Sequence, residues 1–137
     1  MLTKTDVILD TNVLIYALDA TSPFHADAMA LLHDPSLNFF LASKNVSEYF
    51  AVCSKVGIDF AKAFGFYRQI CQNALVLFPD STSLAVFEKL LQKYQPKGNR
   101  VFDIEIVSVA VANHIPEVAT VNVKDFSGVS EITVRPL

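Results

Sequence analysis

Four acidic side chains stand out because their positions in the sequence predict a shared location in the fold. Most of the fourteen acidic residues lie on polar helix faces or in turns, as solvated charges do. Asp10 instead comes directly after a short β-branched run, and Glu48 lies one turn into a predicted helix. Asp103 lies near the start of the most apolar helix candidate, and Asp125 follows another strand-like run.

A cluster of these carboxylates would need a cation. Carboxylates gathered at one sheet edge repel one another and hold raised pKa values unless positive charge lies among them. Oxygen ligands without histidine or thiolate select Mg²⁺ or Mn²⁺ over zinc. Such an ion supports phosphoryl chemistry by polarising the phosphate, activating a water and stabilising the leaving oxygen. The sequence offers no comparable alternative, since it has no GxSxG motif, no Gly-rich phosphate loop and no Cys–His pair.

Two of the four acids also have plain structural interpretations at helix starts. Asp10 or Thr11 is well placed to cap the helix that follows the first strand. The stretch 45–48 fits a capping-box pattern, with Asn45 as the cap and Glu48 three residues later. Position alone does not separate capping from chemistry at either site.

The other two acids have structural alternatives as well. Asp103 fits a first-turn acid favoured by the helix dipole, and Arg100 is close enough in sequence to pair with it. Asp125, taken alone, is an ordinary loop aspartate. Glu105 lies two residues beyond Asp103, so a helix would direct it to another face, and we expect it to be secondary.

The elements that must position these acids alternate between strands and helices. The pattern predicts strands at 7–9, 39–42, 75–78, 118–121 and 132–134, and helices at 12–18, 24–32, 46–56, 59–71 and 83–94. Residues 101–113 are β-branched and partly alternate like a strand, but their length favours a buried helix. The result is an α/β fold with a mostly parallel five-stranded sheet covered on both faces. Its strands would end at one common edge, where folds of this kind bind ligands.

Composition restricts the class of protein. The chain has 137 residues, 52% hydrophobic and 18% charged, which predicts one ordered domain over 1–137 and excludes a disordered chain. A net charge of −3 excludes a basic protein that coats nucleic acid by charge alone. Neither a signal-peptide core nor a membrane-spanning apolar run is present, so we expect a soluble cytoplasmic protein. Cys53 and Cys71 match no zinc or disulfide pattern and are expected in the core.

Several segments together resemble the PIN-domain family. They are VILDTN at 7–12, SEY at 47–49, RVFD at 100–103, TVNVKDF at 120–126 and the closing strand ITVRP at 132–136. Order, spacing and length are similar to the small members of that family, the VapC-type toxins of prokaryotic toxin–antitoxin pairs. None of these segments is specific to the family by itself. The motif segments in this order are fairly specific to it.

The resemblance implies an architecture and a set of residue roles. It implies a three-layer α/β/α sandwich and a Mg²⁺- or Mn²⁺-dependent endoribonuclease. Asp10 and Asp103 would then be the main metal ligands, and Glu48 would be a ligand or orient the attacking water. Asp125 would complete the acidic set, and Thr11 would support the site by a hydrogen bond near Asp10.

One position departs from the family pattern. Many members carry an acid where this chain has Asn122, so a second metal ion would be held weakly. Basic residues next to the motifs could contact RNA phosphates, although each is equally compatible with an ordinary solvated charge: Lys44, Lys97, Arg100 and Lys124. The family also implies a cognate antitoxin as partner, and commonly a homodimer.

Two other functions compete with the nuclease. An aspartyl-nucleophile phosphohydrolase would use Asp10, Lys124 and Asp125, but Asn12 stands where such enzymes need a second aspartate, and no insertion is long enough for a substrate cap. An inactive PIN-like scaffold that binds RNA or protein is favoured only by Asn122. Loss of function in Asp10→Asn would argue against the scaffold.

Overall fold

A fully parallel five-stranded sheet forms the centre of the computed structural model, which describes residues 3–137. The spatial order of the strands is β3-β2-β1-β4-β5, and every neighbouring pair is parallel. The strands are β1 (Thr5–Leu9), β2 (Leu37–Ala42), β3 (Ala74–Leu77), β4 (Glu117–Thr120) and β5 (Thr133–Pro136). All five lie within about two residues of their predicted positions.

Within residues 3–137, six α-helices cover the two faces of the sheet. They are α1 (Thr11–Leu18), α2 (His25–Leu32), α3 (Ser43–Lys55), α4 (Phe60–Cys71), α5 (Ser81–Tyr94) and α6 (Arg100–Ala112). Helices α1 to α4 contribute to the core on one face, and α5 and α6 contribute to the core on the other. The predicted three-layer α/β/α sandwich is therefore confirmed.

The central strand β1 shows how the sequence builds both cores. Val7 and Leu9 point into the core beneath α1 to α4, whereas Ile8 points into the core beneath α5 and α6. All three side chains are fully buried. A strand buried on both faces is a continuous apolar run rather than an alternating one, as this segment is.

The segment that looked like either a helix or a strand is the helix α6. Its β-branched residues belong to a helix that is buried over much of its circumference, including Ile104, Ile106 and Val107. Ser108, also buried, donates its hydroxyl to the carbonyl of Ile104 at 2.7 Å. Burial on nearly all sides explains why the usual amphipathic pattern is weak here.

One predicted helix cap is wrong, and one helix begins earlier than predicted. Asn45 lies within the first turn of α3, which follows Ala42 and has no side-chain cap. Ser83 is the third residue of α5, whose cap is Asp80. The two side chains bond reciprocally to each other's backbone N–H. Gly57 follows the end of α3 with a φ of 81°, a backbone conformation that suits glycine.

The cysteines and the hydrophobicity of the helices complete the fold. Cys53 is buried as predicted, whereas Cys71 is only half-buried near the end of α4, and both are free thiols. No helix within residues 3–137 is both long and apolar enough to cross a membrane.

Candidate functional site

The four predicted acidic residues meet where the strand order reverses. From β1 the chain builds outward to β2 and β3, and then returns to the other side of β1 for β4 and β5. Ligands bind beyond the carboxyl ends of parallel strands at such a point. Two clefts of about 320 and 420 Å³ open there. Both are lined by the same four carboxylates, Asp10, Glu48, Asp103 and Asp125.

Asp10 both caps a helix and contributes a carboxylate to the cleft. Its Oδ1 accepts the backbone N–H of Thr11 at 2.8 Å, which makes it the cap of α1. Its Oδ2 accepts the hydroxyl of Thr120 at 2.9 Å. Burial raises the pKa of Asp10 and the charge of Glu48 adds to this, while the hydrogen bonds from Thr120 and Thr11 oppose the rise.

Thr120 and Asn12 support Asp10, and sequence reasoning missed both. The fully buried Thr120 hydroxyl also accepts the backbone N–H of Asn122 at 3.0 Å and the Asn12 side-chain amide at 3.3 Å. The signal was available in the sheet: β1 and β4 are adjacent and parallel, so the residues that end them are neighbours. A polar residue ending the strand next to Asp10 was therefore a candidate for contact with it.

Replacing Thr120 with valine is expected to lower stability and raise the pKa of Asp10 further. The variant removes the donor to Asp10 and leaves the Asn122 N–H without its acceptor, which costs about 1–3 kcal/mol of unfolding free energy. Urea denaturation measures the first effect, and a carboxyl-carbon NMR titration of metal-free protein measures the second. Thr133→Val on exposed β5 is the control, expected to change stability by less than about 0.5 kcal/mol. A Thr120→Val protein as stable as wild type would contradict the network.

Glu48 is held by a lysine one turn before it. Lys44 Nζ lies 2.6 Å from Glu48 Oε1, so the two side chains form an ion pair. The same ammonium lies 4.4 Å from the ring centre of Phe102 on α6. Lys44 therefore lies at the acidic cleft rather than on a solvated face.

Asp103 lies in the first turn of α6 and is half-buried. Burial raises its pKa to about 6, and the negative charges of Asp125 and Asp10 add to the rise. Arg100 forms no ion pair with Asp103, contrary to the alternative interpretation. Its guanidinium instead donates to the backbone carbonyl of Asp125 at 3.2 Å. The carboxylates thus interact electrostatically and lack a full complement of positive charge.

Asn45 explains how Thr11 is fixed. Asn45 is fully buried, and its amide donates to the Thr11 hydroxyl at 2.8 Å. Thr11 therefore links α3 to the start of α1 through its side chain, while its backbone N–H bonds to Asp10. The hydroxyl of Thr11 contacts Asn45, and only the main chain of Thr11 contacts Asp10.

The remaining predicted site residues are dispersed around the acids. Asn122 is exposed and lines one of the two acidic clefts. Lys97 lines a separate cleft together with Arg100, and Lys124 is exposed on a short 3₁₀ turn outside the acidic clefts. Glu105 lines yet another cleft, as its position two residues beyond Asp103 predicted.

Comparison with known proteins decides the family. Residues 7–131 match the sequence profile of the PIN domain. The chain belongs to the PIN domain family. The family assignment predicted from the separate motifs is thereby confirmed, and the matched region contains all four acids. No curated protein matched the sequence.

Solved structures share the fold of this PIN domain at low sequence identity. VapBC2 from Rickettsia felis, solved with a promoter DNA fragment, has a TM-score of 0.72 at 18% identity, covering 97% of this chain and 99% of that one. VapC20 from Mycobacterium tuberculosis, a toxin that cleaves the sarcin–ricin loop, has a TM-score of 0.73 at 16% identity, covering 95% and 99%. A toxin–antitoxin complex from Klebsiella pneumoniae has a TM-score of 0.69 at 20% identity, covering 93% and 95%.

The donor set of this PIN domain suits a hard divalent cation. All four side chains offer carboxylate oxygens, and the negative charges of Asp125 and Asp10 add to the rise that burial gives the pKa of Asp103. In the part of the chain that the structure describes, no group of three His, Cys, Asp or Glu side chains is already arranged to hold an ion. The donor chemistry therefore fits Mg²⁺ or Mn²⁺, and the side chains would have to rotate inward to coordinate it.

Proposed function

We propose that this protein is a metal-dependent endoribonuclease that hydrolyses RNA phosphodiester bonds. The observation that carries the proposal is the set of four carboxylates lining shared clefts at the switch point of a PIN domain. Burial raises the pKa of Asp103, and the negative charges of Asp125 and Asp10 add to the rise, so positive charge is favoured at the site. Residues 1–137 would act as one domain.

Asp10 and Asp103 are the residues that would hold Mg²⁺ or Mn²⁺ first. They project from two different elements, the end of β1 and the first turn of α6. The negative charge of Asp10 contributes to the raised pKa of Asp103. When bound, the ion would polarise the scissile phosphate and lower the pKa of a water nucleophile. Asp125 would complete the acidic set, and Glu48 would bind the ion or orient the water. Thr120 would fix the rotamer of Asp10.

RNA would approach across the cation-bearing rim of the clefts. Arg100 lies next to Asp125 through its hydrogen bond to that residue's carbonyl, and Lys97 lines the same neighbouring cleft. We propose these two and Lys124 as phosphate contacts, with Lys44 inside the acidic cleft. Because the protein is acidic overall, binding would be weak without the metal and would fall steeply with salt.

The biological role proposed is that of the toxin in a type II, VapBC-like toxin–antitoxin pair. Support comes from proteins of the same fold, which include a toxin that cleaves the sarcin–ricin loop and a toxin–antitoxin complex. The partners would be an RNA substrate, a cognate antitoxin protein and a second copy of the chain as a homodimer. The protein would act in the cytoplasm.

A cleavage map tests the proposal. Total cellular RNA is incubated with purified protein and Mn²⁺ or Mg²⁺, and new RNA ends are sequenced, because a cut at one site in one RNA would be invisible on a gel. New ends are expected only with wild-type protein and metal, and not with Asp103→Asn or with EDTA. Absence of new ends from folded, metal-loaded protein would contradict the nuclease and favour the scaffold or the phosphohydrolase.

A further inference from the structure

Lys44 is an unusual residue for the mouth of a metal site. Its side chain is only 20% exposed, and its ammonium contacts Glu48 and the face of Phe102. It lines the larger acidic cleft together with Asp10, Glu48, Asp103 and Asp125. Lysine side chains are mostly exposed in folded proteins. A largely buried lysine needs nearby negative charge to compensate its own charge.

The contacts of Lys44 come from two elements that flank the cleft. Glu48 lies four residues later on the same helix, a spacing that brings the two side chains together. Phe102 lies on α6, directly before Asp103, and its ring contacts the ammonium from the opposite side of the cleft. The side chain of Glu48 is 45% exposed as a whole, but its Oε1, the oxygen that faces Lys44, is buried.

We propose that Lys44 is a built-in counter-cation of the acidic site that holds Glu48 in an ion pair and keeps it from ligating the divalent ion. The inference rests on the proposed metal-dependent function and deepens it. One divalent ion would then be bound through Asp10 and Asp103, with Lys44 supplying the second positive charge. The neutral Asn122, which lines the smaller acidic cleft beside it, agrees with this arrangement, because it offers no carboxylate for another ion.

The inference makes a distinctive prediction about metal affinity. Lys44→Met removes the charge but keeps an unbranched apolar stem over Phe102. Because a positive charge leaves the site and Glu48 is released, Mn²⁺ is expected to bind about tenfold more tightly. Glu48→Gln removes a negative charge and is expected to weaken Mn²⁺ binding in both backgrounds, but the loss is expected to be at least about fivefold larger in the Lys44→Met background, where Glu48 is free to ligate the ion.

The experiment is a Mn²⁺ titration of the whole chain followed by the electron paramagnetic resonance signal of free Mn²⁺. It compares wild type, Lys44→Met, Glu48→Gln and the double variant, with melting temperatures in EDTA as a folding check. Lys55→Met is the matched control: it removes the same charge from an exposed position on α3, roughly 16 Å along the helix axis from Lys44. It is expected to change Mn²⁺ affinity by less than about twofold.

The outcomes separate this inference from the proposed function. Tighter Mn²⁺ binding by Lys44→Met that disappears in the double variant supports the inference. Mn²⁺ binding by Lys44→Met and by none of the other proteins also supports it. Equal or weaker binding in Lys44→Met overturns it while leaving metal dependence intact. A loss in Glu48→Gln alone as large as the loss it causes in the Lys44→Met background also overturns it, because Glu48 would then be a ligand in the wild type. No Mn²⁺ binding by any of the proteins overturns the proposed metal dependence, and the inference with it.

Discussion

Asp103→Asn is expected to reduce metal-dependent RNA cleavage by at least about a hundredfold, because it removes a proposed metal ligand and with it several kcal/mol of transition-state stabilisation. Asparagine has nearly the same size and leaves α6 packed as before. Mapped RNA ends and single-turnover rates with Mn²⁺ measure the loss. Wild-type rates in Asp103→Asn would remove Asp103 from the site.

The same substitution is expected to stabilise the metal-free protein at pH 7. The pKa of Asp103 is raised from 3.8 to about 6, so the folded state holds its proton more tightly than the unfolded chain does. The ionised carboxylate therefore destabilises the fold above about pH 6. Because Asp103 is only half-buried and solvent screens part of the repulsion, the expected gain is about 1–2 kcal/mol.

This gain should depend on pH in a definite direction. Wild type gains stability as Asp103 is protonated between its folded pKa of about 6 and its usual value of 3.8, so the advantage of the variant shrinks as the pH falls from 7 toward 4. Melting curves in EDTA at several pH values measure it, with an upward shift of about 3–8 °C expected at pH 7. Glu105→Gln on the same helix lines a different cleft and is the control, expected to keep cleavage within about twofold of wild type. A destabilised Asp103→Asn at pH 7 would contradict the repulsion.

The positions of the acids were predictable because parallel strands end at one edge. Asp10 follows β1 and Asp125 follows β4, so recognising these strands was enough to place both acids together. Helix α6 was predictable from length, although its β-branched residues pointed toward a strand. Both inferences depend on local periodicity and on topology, which a single sequence records.

Contacts across elements were not predictable in the same way. Asn45 was taken for a helix cap because local spacing favours that role, but the helix starts earlier and Asn45 is buried against Thr11 from another element. Lys44 was placed near RNA from its sequence position, whereas its ion pair with Glu48 and its contact with Phe102 depend on how α3 and α6 pack. These partners lie far apart in sequence or depend on a rotamer, so periodicity carries no signal for them.

Asp10→Asn and Asp10→Ala together are expected to separate the structural role of Asp10 from its chemical role. Asparagine caps helices about as well as aspartate, and its Oδ1 can still accept the Thr11 N–H, so it should cost less stability than alanine does. Alanine removes the cap and should cost about 1 kcal/mol. Both variants should lose RNA cleavage by about a hundredfold or more, since each removes the ligand. Urea denaturation and mapped RNA ends measure the two effects.

The pair of variants also discriminates among the three candidate functions. A scaffold would keep its RNA or protein binding in Asp10→Asn, because the cap and the fold are preserved. A phosphohydrolase would lose activity in both variants, as a nuclease would. If the protein is a phosphohydrolase, however, wild type alone would trap beryllium fluoride on Asp10 and hydrolyse phosphomonoesters. A nuclease would neither trap beryllium fluoride nor hydrolyse phosphomonoesters. The structure favours this outcome, because Lys124 is exposed on its turn. In addition, the Asn12 amide donates to Asp10 Oδ2 at 3.4 Å, at the position where an aspartyl-phosphate enzyme needs an acid. Loss of cleavage without beryllium fluoride trapping therefore assigns Asp10 to metal-dependent hydrolysis of RNA.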